Sequence, residues 1–323
     1  MAGRLIVEPV GGLTNRLMAM ISGQRIAHYY GLEFGICWNT TSECGAPFHE
    51  LFDTAFPQYT PETVDTDRDY RVIGFGGQGW ATPPVIARPE SSRDIWVLTH
   101  GVLAHGDETR DSGFVPGGPI IFDLGRYYRA LRPAARWRAA AEAVQFERQQ
   151  TIGIHIRRPY SRAVELRPEL HEAEQREYGA LPDAFYAEVI NRLYGLNPAL
   201  KFLLCTNSSA TEEYLRAHCT APLISSPKVA ADDTSRASST YEALVDTLLL
   251  SRTAVLLRHH ASHFSFLSSL QFFQPSLLVV PNGDGKQAGI RLHEFRDHGS
   301  IVGLDDANIF ARVVMPRYNP LLL

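Results

Sequence analysis

A histidine and two adjacent arginines end a short apolar segment in the middle of this 323-residue chain. The segment, residues 151–156, contains His155 and is followed at once by Arg157 and Arg158. Ligands of open α/β sheets bind beyond the carboxyl ends of the strands. Because a guanidinium group is a planar, permanently charged fork that matches phosphate oxygens, two of them at a strand end predict an anion site. A solvated strand end with two surface arginines is the alternative interpretation.

A second candidate site lies near the amino terminus, where Gly11 and Gly12 join an apolar segment to a helix-like one. Paired glycines let backbone amides come close to a ligand, and a helix amino terminus favours negative charge. The dinucleotide-binding motif G-x-G-x-x-G is not present, because Asn15 and Arg16 occupy the place of its third glycine. An ordinary tight turn between a strand and a helix explains the two glycines equally well.

Strands alternate with helices around both candidate sites, which predicts parallel sheets covered by helices on both faces. In the first half, a strand at 4–8, a helix at 15–30 and a strand at 34–38 form one compact unit. The strands of the second half are expected at residues 151–156, 201–205, 223–224, 254–257 and 277–280. Two Rossmann-like halves fit this pattern, and so do a two-domain dehydrogenase and a kinase-like enzyme.

Composition and charge exclude several classes of function. Hydrophobic residues make up 45% and charged residues 20% of the chain, as in a globular protein. The net charge of -4 argues against a broad basic surface for nucleic acid or anionic lipid, so an anion site must be local. Charges interrupt the amino terminus within eight residues, which predicts neither a secretory leader nor a membrane span there. The four cysteines have no C-x-x-C spacing, and a reducing cytoplasm is the simplest compartment.

Three segments together resemble the motifs of one known family. Residues 11–17, GGLTNRL, look like a G-G-x-x-N donor loop, and residues 155–158, HIRR, match an H-V-R-R signature for the donor diphosphate. Residues 242–252 followed by 254–265 are similar to a block of aspartate, helix, strand and serine. The family is the α-1,6/α-1,2/protein-O-fucosyltransferase superfamily, and the bacterial nodulation-type α-1,6-fucosyltransferases are the most similar members.

The resemblance implies an α/β fold of the GT-B-like class, in which two Rossmann-like domains face a central cleft. It implies an N-terminal α/β domain at 1–148, which lies on the acceptor side and contributes the glycine loop. A C-terminal Rossmann-like domain at 149–285 would bind the GDP-sugar, and residues 286–323 would pack back on the N-terminal domain.

The resemblance also implies roles for individual residues. Arg157 and Arg158 would bind the β-phosphate of the GDP-sugar and stabilise the negative charge that develops there as GDP leaves. Asp246 would accept hydrogen bonds from the N1–H and N2–H₂ groups of guanine. The other donor-binding positions would be Gly11, Gly12, Asn15, His155 along the ribose or guanine, Thr206, and Ser262 at a phosphate.

Glu165 is the candidate general base. It lies seven residues beyond Arg158, a spacing at which mammalian-type α-1,6 enzymes keep an acidic residue that meets the acceptor hydroxyl. The alternative is a solvated glutamate in a charged loop. The chain departs from the family at this point, because Tyr160 and Ser161 replace the usual aspartate and lysine.

Two other patterns contain metal-ligating residue types but lack the context of a metal site. Residues 65–67, DTD, have the form used by metal-dependent transferases, yet they lie in a polar segment instead of at a strand end. His259, His260 and His263 have no cysteine or further histidine nearby that would complete the four ligands of zinc. We therefore expect no cofactor and no divalent metal.

Together with these patterns, the resemblance implies an inverting, metal-independent glycosyltransferase, which we expect in the cytoplasm. It would move a sugar, with L-fucose the first choice, from a GDP-sugar to a hydroxyl group of a glycan or of a small glycosylated acceptor. Neither nucleic acid nor a membrane span is expected. Two alternatives stay open: a non-catalytic protein that binds nucleotides or GDP-sugars, and a transferase of another GDP-linked sugar such as mannose or a heptose.

Overall fold

The computed structural model describes residues 3–63, 70–74, 85–87, 94–105, 119–158, 181–225, 236–259, 262–281 and 288–293. The chain divides into two compact units. The first lies within Met1–Ala139 and Thr234–Leu244, and the second within Ala140–Asp233 and Val245–Arg296. Each unit contains its own parallel sheet with helices, so the predicted α/β class is confirmed.

The first half of the chain contains the sheet of the first unit. Its strands are β1 (Arg4–Pro9), β2 (Glu33–Ile36), β3 (Tyr70–Gly74), β4 (Val85–Ile86), β5 (Ile95–Thr99) and β6 (Ala104–His105). Its helices are α1 (Leu13–Tyr30), α2 (Phe48–Leu51), α3 (Pro119–Ala130) and α4 (Ala135–Ala143). Four strands form a parallel sheet in the order β2-β1-β5-β3, and β4 pairs with β6 separately.

Apolar side chains of β1 and α1 form the core of this unit. Leu5 and Val7 lie on one face of the strand and pack with Ala19 and Ile26 of the helix. The helix ends at Gly31, which has a left-handed backbone (φ +67°) and donates its amide to the last turn. This packing fixes the position of the loop between β1 and α1, which carries the paired glycines.

The second half of the chain contains a six-stranded sheet. Its strands are β7 (Thr151–Ile156), β8 (Lys201–Thr206), β9 (Leu223–Ile224), β10 (Val255–His259), β11 (Ser276–Pro281) and β12 (Ala288–His293). Its helices are α5 (Asp183–Leu196), α6 (Ser209–His218), α7 (Arg236–Ser251) and α8 (His263–Leu270). The order is β12-β11-β10-β7-β8-β9, parallel except for β12, and it contains all five strands predicted from the sequence.

Strand β7 lies in the middle of this sheet and is buried along its whole length. The isoleucines at 152, 154 and 156 face the same side, where they pack in one core with Phe185, Tyr186, Val189, Ile190 and Leu193 of α5. On the other side, a methyl group added at Gly153 would lie 2.7 Å from the Thr253 hydroxyl and 2.9 Å from Leu256. The backbone is therefore held tightly up to the residues that end the strand.

The second sheet extends beyond residue 285, the domain limit expected from the sequence. Strand β12 pairs antiparallel with β11, with Leu292 opposite Leu277 and Ile290 opposite Val279. This part of the segment 286–323 thus belongs to the second sheet. Residues 294–323 lie outside the described residues, and their packing on the first domain stays a prediction. No helix in the described part of the chain is long and apolar enough to cross a membrane.

Candidate functional site

Several of the predicted donor-binding residues gather at the carboxyl edge of the second sheet. Strand β7 runs parallel to β8 and β10, and its last residues are in register with Cys205, Thr206 and Arg258. Arg157 and Arg158 follow directly. This edge is where an α/β sheet binds ligands.

His155 and Ser262 are in contact, although 107 positions separate them in sequence. Nδ1 of the buried His155 lies 3.1 Å from the Ser262 hydroxyl, and its ring stacks on Phe264 with the centroids 4.6 Å apart. Ser262 is the N-cap of α8 and accepts the amide of Ser265. Since the hydroxyl accepts that amide, its own proton is available for Nδ1, which favours the imidazole proton on Nε2. The helix cap therefore holds the imidazole at the strand end.

The guanidinium group of Arg158 is bound by the protein itself. Nε donates to the Thr211 hydroxyl at 3.2 Å, Nη1 donates to the carbonyl oxygen of Leu181 at 2.9 Å, and Nη2 donates to the carboxylate of Asp183. The Thr211 hydroxyl in turn donates to the second oxygen of that carboxylate at 3.2 Å. Three of the five N–H groups of Arg158 are therefore used to join the end of β7 to the first turns of α5 and α6.

The backbone of Arg158 is fixed as well. Asn207, just after β8, accepts the Arg158 amide and donates to the Arg158 carbonyl, both at 2.8 Å. Arg157, one residue earlier, is half-buried. The sequence predicts that both arginines bind a phosphate. In the structure, the contacts of Arg158 hold the loop that follows β7. Its phosphate contact stays a prediction, and so does that of Arg157.

Thr206 and Asp246 are both buried in the second unit. The Thr206 hydroxyl accepts the amide of Ser208 at 3.3 Å, so it shapes the turn that leads into α6. Asp246 lies on α7, where the apolar residues 248–250 follow it. The contact of Asp246 with guanine stays a prediction.

Arg258 is a buried cation for which the sequence pattern predicts no role. Its side chain is 3% exposed, and its backbone is the direct neighbour of His155 in the sheet. Burial lowers the pKa of Arg258 to about 10. The available signal was a single arginine in the apolar strand segment VLLRH, because a charged side chain is seldom buried in a parallel strand unless it is paired.

The glycine loop lies at the carboxyl edge of the first sheet, as the two arginines do in the second sheet. The Val10 amide donates to the Thr99 carbonyl at 2.9 Å, which joins the ends of β1 and β5. His100, the next residue after β5, lies against Gly11, and its Nε2 is 2.7 Å from Nδ2 of Asn15. His100 is thus a neighbour of two predicted site residues, although the sequence pattern predicts no role for it. A histidine directly after the short apolar segment at residues 95–99 was the only signal.

Arg16 supports the glycine loop from inside the first unit. It is completely buried, and its Nε donates to the carbonyl oxygen of Gly11 at 2.7 Å. The two terminal nitrogens donate to the carbonyl oxygen of Asn39 and, at 2.9 Å, to the Thr41 hydroxyl. Desolvation lowers the pKa of Arg16. The sequence pattern identifies this arginine only as the residue that replaces a glycine, whereas the structure gives it a role in positioning the loop.

Several predicted residues lie outside the described part of the chain. These are Glu165, the family departure at Tyr160 and Ser161, the acidic residues at 65–67, and the side chains of the histidines at 259, 260 and 263. Among the residues that the structure does describe, no three histidine, cysteine or carboxylate side chains are grouped so that they could hold a metal ion.

Comparison with solved structures identifies the fold. No family model matches the chain, and no curated protein matches it significantly. The crystal structure of the fucosyltransferase NodZ from Bradyrhizobium superposes with a TM-score of 0.56 over 92% of this chain and 100% of the other, at 16% identity. The chain has the fold of NodZ.

Two further structures agree with this result. NodZ α-1,6-fucosyltransferase soaked with GDP-fucose matches with a TM-score of 0.54 and 15% identity over 91% of this chain and 100% of the other. A mutant of Arabidopsis thaliana FUT1 in complex with GDP matches with a TM-score of 0.51 and 14% identity over 95% and 79%. The fucosyltransferase fold expected from the three motifs is thereby confirmed. Since identity is this low, function has to be argued from the residues of the site.

Proposed function

We propose that this chain is a glycosyltransferase that moves L-fucose from GDP-fucose to a hydroxyl group of a glycan or of a small glycosylated acceptor. The observation that carries the proposal is the contact of His155 with Ser262 and Phe264 at the carboxyl end of β7, directly before Arg157. Neighbours with the same fold include NodZ structures with GDP and with GDP-fucose. We infer the donor of this chain from the contact at the end of β7 together with the ligands of these neighbours.

Positive charge at the strand end fits the chemistry of a departing diphosphate. The bond between the anomeric carbon and the β-phosphate oxygen breaks, and negative charge develops on GDP. In our proposal Arg157 contacts that phosphate, and Arg258, one strand away, adds a positive charge in a buried environment. Fixed charges of this kind stabilise a transition state without having to reorganise. We therefore propose that no divalent metal takes part.

Arg158 acts on this site through the loop in our proposal. Its contacts with Asp183, Thr211 and Asn207 fix the chain at the residue after Arg157, so that the charge of Arg157 is held in one place. Preorganisation is what makes an electrostatic contact effective in the transition state, because little energy is then lost in ordering the group.

The acceptor reaction inverts the anomeric carbon in this proposal. The acceptor oxygen forms its bond to that carbon on the face opposite GDP, so a β-linked donor gives an α-linked product. The acceptor proton must pass to a base, and Glu165 is the residue we propose. The same site could transfer mannose or a heptose if its contacts with the sugar suited those sugars better than fucose. The experiment described below distinguishes these donors.

Release of GDP from GDP-fucose, in excess EDTA and with a panel of glycan acceptors, tests the proposal. We expect turnover in EDTA, and GDP affinity by calorimetry that changes by less than tenfold when EDTA replaces magnesium. Arg157→Ala should lose about a hundredfold in kcat/KM. Arg126→Ala, at an exposed arginine of α3, is the matched control and should not change it.

Three results would contradict parts of the proposal. Binding of GDP-fucose without turnover on any acceptor identifies a binding protein. Faster turnover of GDP-mannose or a GDP-heptose corrects the sugar. A tenfold or greater loss of GDP affinity in EDTA overturns metal independence.

A further inference from the structure

Two arginines lie at the amino edge of the second sheet, at the opposite end of β7 from Arg157. Arg148 stands three residues before β7, and Arg252 stands three residues before the neighbouring strand β10. The Ala254 amide donates to the Thr151 carbonyl at 2.9 Å, so the two strands begin side by side. The chain therefore brings two positive charges to one edge of the sheet, and neither belongs to the proposed donor site.

An aromatic ring supports each of these two guanidinium groups. The guanidinium carbon of Arg148 lies 4.5 Å from the centre of the Phe272 ring, which belongs to the connection between α8 and β11. The guanidinium carbon of Arg252 lies 4.9 Å from the centre of the Phe146 ring, two residues before Arg148 in the chain. Nη1 of Arg252 also donates to the Ala141 carbonyl. Stacking thus orients both cations at the same edge.

The connection that carries Phe272 has an uncommon backbone conformation. Phe273 has a φ of +52°, and no other described residue except glycine has a positive φ. Such a conformation is unfavourable for a residue with a side chain, and it persists only where the surrounding contacts impose it. The buried Gln274 supplies these contacts, because its amide donates to the Ser269 carbonyl and its Nε2 donates to the Leu250 carbonyl, both at 3.1 Å. The Phe272 ring is therefore held in a set position beneath the arginine.

Two nitrogens of Arg148 lack a hydrogen-bond partner among the described residues. They are Nε and Nη2, and both are buried. Together they form the edge of a guanidinium group that binds two oxygens of one phosphate or carboxylate. Buried polar groups are almost always paired, and a missing ion is one explanation for an unpaired group. Arg148 as a whole is only half-buried, so solvent reaches the residue.

We propose that the amino edge of the second sheet binds a phosphate group, which accepts hydrogen bonds from Nε and Nη2 of Arg148. Arg252 contributes the second positive charge. The phosphate binds when the Arg148 side chain changes its rotamer and turns this edge outward, and neither nitrogen has to give up a hydrogen bond to the protein. A dianion suits the site better than a carboxylate, since two negative charges compensate two cations that repel one another. The site lies at the opposite edge from the donor site and goes beyond the proposed transferase.

Thermal unfolding in inorganic phosphate, compared with chloride at equal ionic strength, tests this site. The comparison is made without GDP and again in excess GDP, which occupies the proposed donor site. We expect phosphate to raise the midpoint in both cases, and the dependence of this rise on phosphate concentration gives the Kd. Arg148→Met should weaken that Kd at least about tenfold, the loss of one charge-assisted pair. Arg126→Met, at an exposed arginine of α3, is the control and should keep the full rise.

The stability of Arg148→Met without phosphate distinguishes a ligand site from a structural role. Methionine keeps an apolar side chain on the Phe272 ring and removes two nitrogens that have no described partner. The midpoint in chloride should therefore stay the same or rise. Arg148→Lys, which keeps the charge and loses the fork, should retain part of the phosphate affinity, and Arg252→Met should lower it. GDP affinity should stay within twofold of wild type in all of these variants.

Three outcomes would overturn the inference. The first is an equal rise in phosphate for Arg148→Met and the unmodified protein. The second is a lower midpoint of Arg148→Met in chloride, which would make Arg148 a structural residue. The third is a larger rise in acetate than in phosphate, which would identify a carboxylate site. Arg148→Lys and Arg252→Met give the phosphate readout if Arg148→Met does not fold. If the protein does not bind GDP, the proposed transferase fails, and the phosphate measurements without GDP still decide this inference.

Discussion

Alanine substitutions of the two adjacent arginines at the end of β7 should have different effects on stability and on turnover. Arg158→Ala removes an ion-paired bond to Asp183 and two bonds from the guanidinium group to uncharged acceptors, the Thr211 hydroxyl and the Leu181 carbonyl. If the ion-paired bond contributes about 1.5–3 kcal/mol and each bond to an uncharged acceptor at least about 0.5–1.5 kcal/mol, the total is roughly 4 kcal/mol. The side chains of Arg158 and Asp183 are only 17% and 24% exposed, so solvent screens this pair weakly.

Urea unfolding measures this loss directly. With a slope of about 2 kcal/mol per molar urea, a loss of roughly 4 kcal/mol moves the midpoint by about 2 M. Arg157→Ala should move the midpoint less and instead reduce kcat/KM about a hundredfold, because its proposed contact is made with the departing phosphate. Arg158→Ala should reduce turnover as well, since the loop that carries Arg157 is released.

Asp183 supplies a second, independent measurement. Asp183→Ala should destabilise the protein in the same way, and the double variant with Arg158→Ala should lose less than the sum of the two. The difference should be about 1–3 kcal/mol for residues in direct contact. An unchanged urea midpoint in Arg158→Ala refutes the structural role of that residue. Turnover within threefold of wild type in both arginine variants refutes the assignment of the phosphate site.

Three further predictions concern the recognition of guanine, the general base and the glycine loop. Asp246→Ala should flatten the preference for GDP over ADP and UDP in calorimetry, because guanine loses the acceptor of its two donors; equal affinities in the unmodified protein would contradict the choice of GDP. Glu165→Gln should lower kcat at unchanged acceptor KM while GDP still binds, whereas a raised KM alone indicates acceptor positioning and no effect indicates a surface loop. Arg16→Met should lower the free energy of unfolding by about 3 kcal/mol, since it removes a buried bond to the Gly11 carbonyl and partly buried bonds to Asn39 and Thr41, and Arg126→Met should not.

The sequence predicts the sheets well because their signals are local. Isoleucines at 152, 154 and 156 alternate along one strand, and the apolar positions of α5 recur at helical spacing, so both elements can be read without knowledge of their partners. The contact of His155 with Ser262 also follows from topology. Both residues end or follow parallel strands, and such ends meet at one edge of a sheet.

Contacts between distant side chains are not predictable in this way. The partners of Arg158 lie 25 and 53 positions away on two different helices, and nothing in the local sequence distinguishes a bound arginine from an exposed one. His100 and Asn15 are 85 positions apart, and their contact depends on the order β2-β1-β5-β3, which the sequence does not reveal. The roles missed from the sequence are therefore those that depend on strand order or on partners distant in the chain.

The pairing of β12 with β11 has a practical consequence for anyone who shortens this chain. A fragment that ended at residue 285, the domain limit expected from the sequence, would lose all six residues of β12. The backbone groups of β11 on that side would then lack their partners, beside the fully buried Leu277 and Val279. An open apolar strand edge is a template for pairing with another molecule. Such a fragment should precipitate or self-associate, and the solubility of the isolated second unit requires the strand at 288–293.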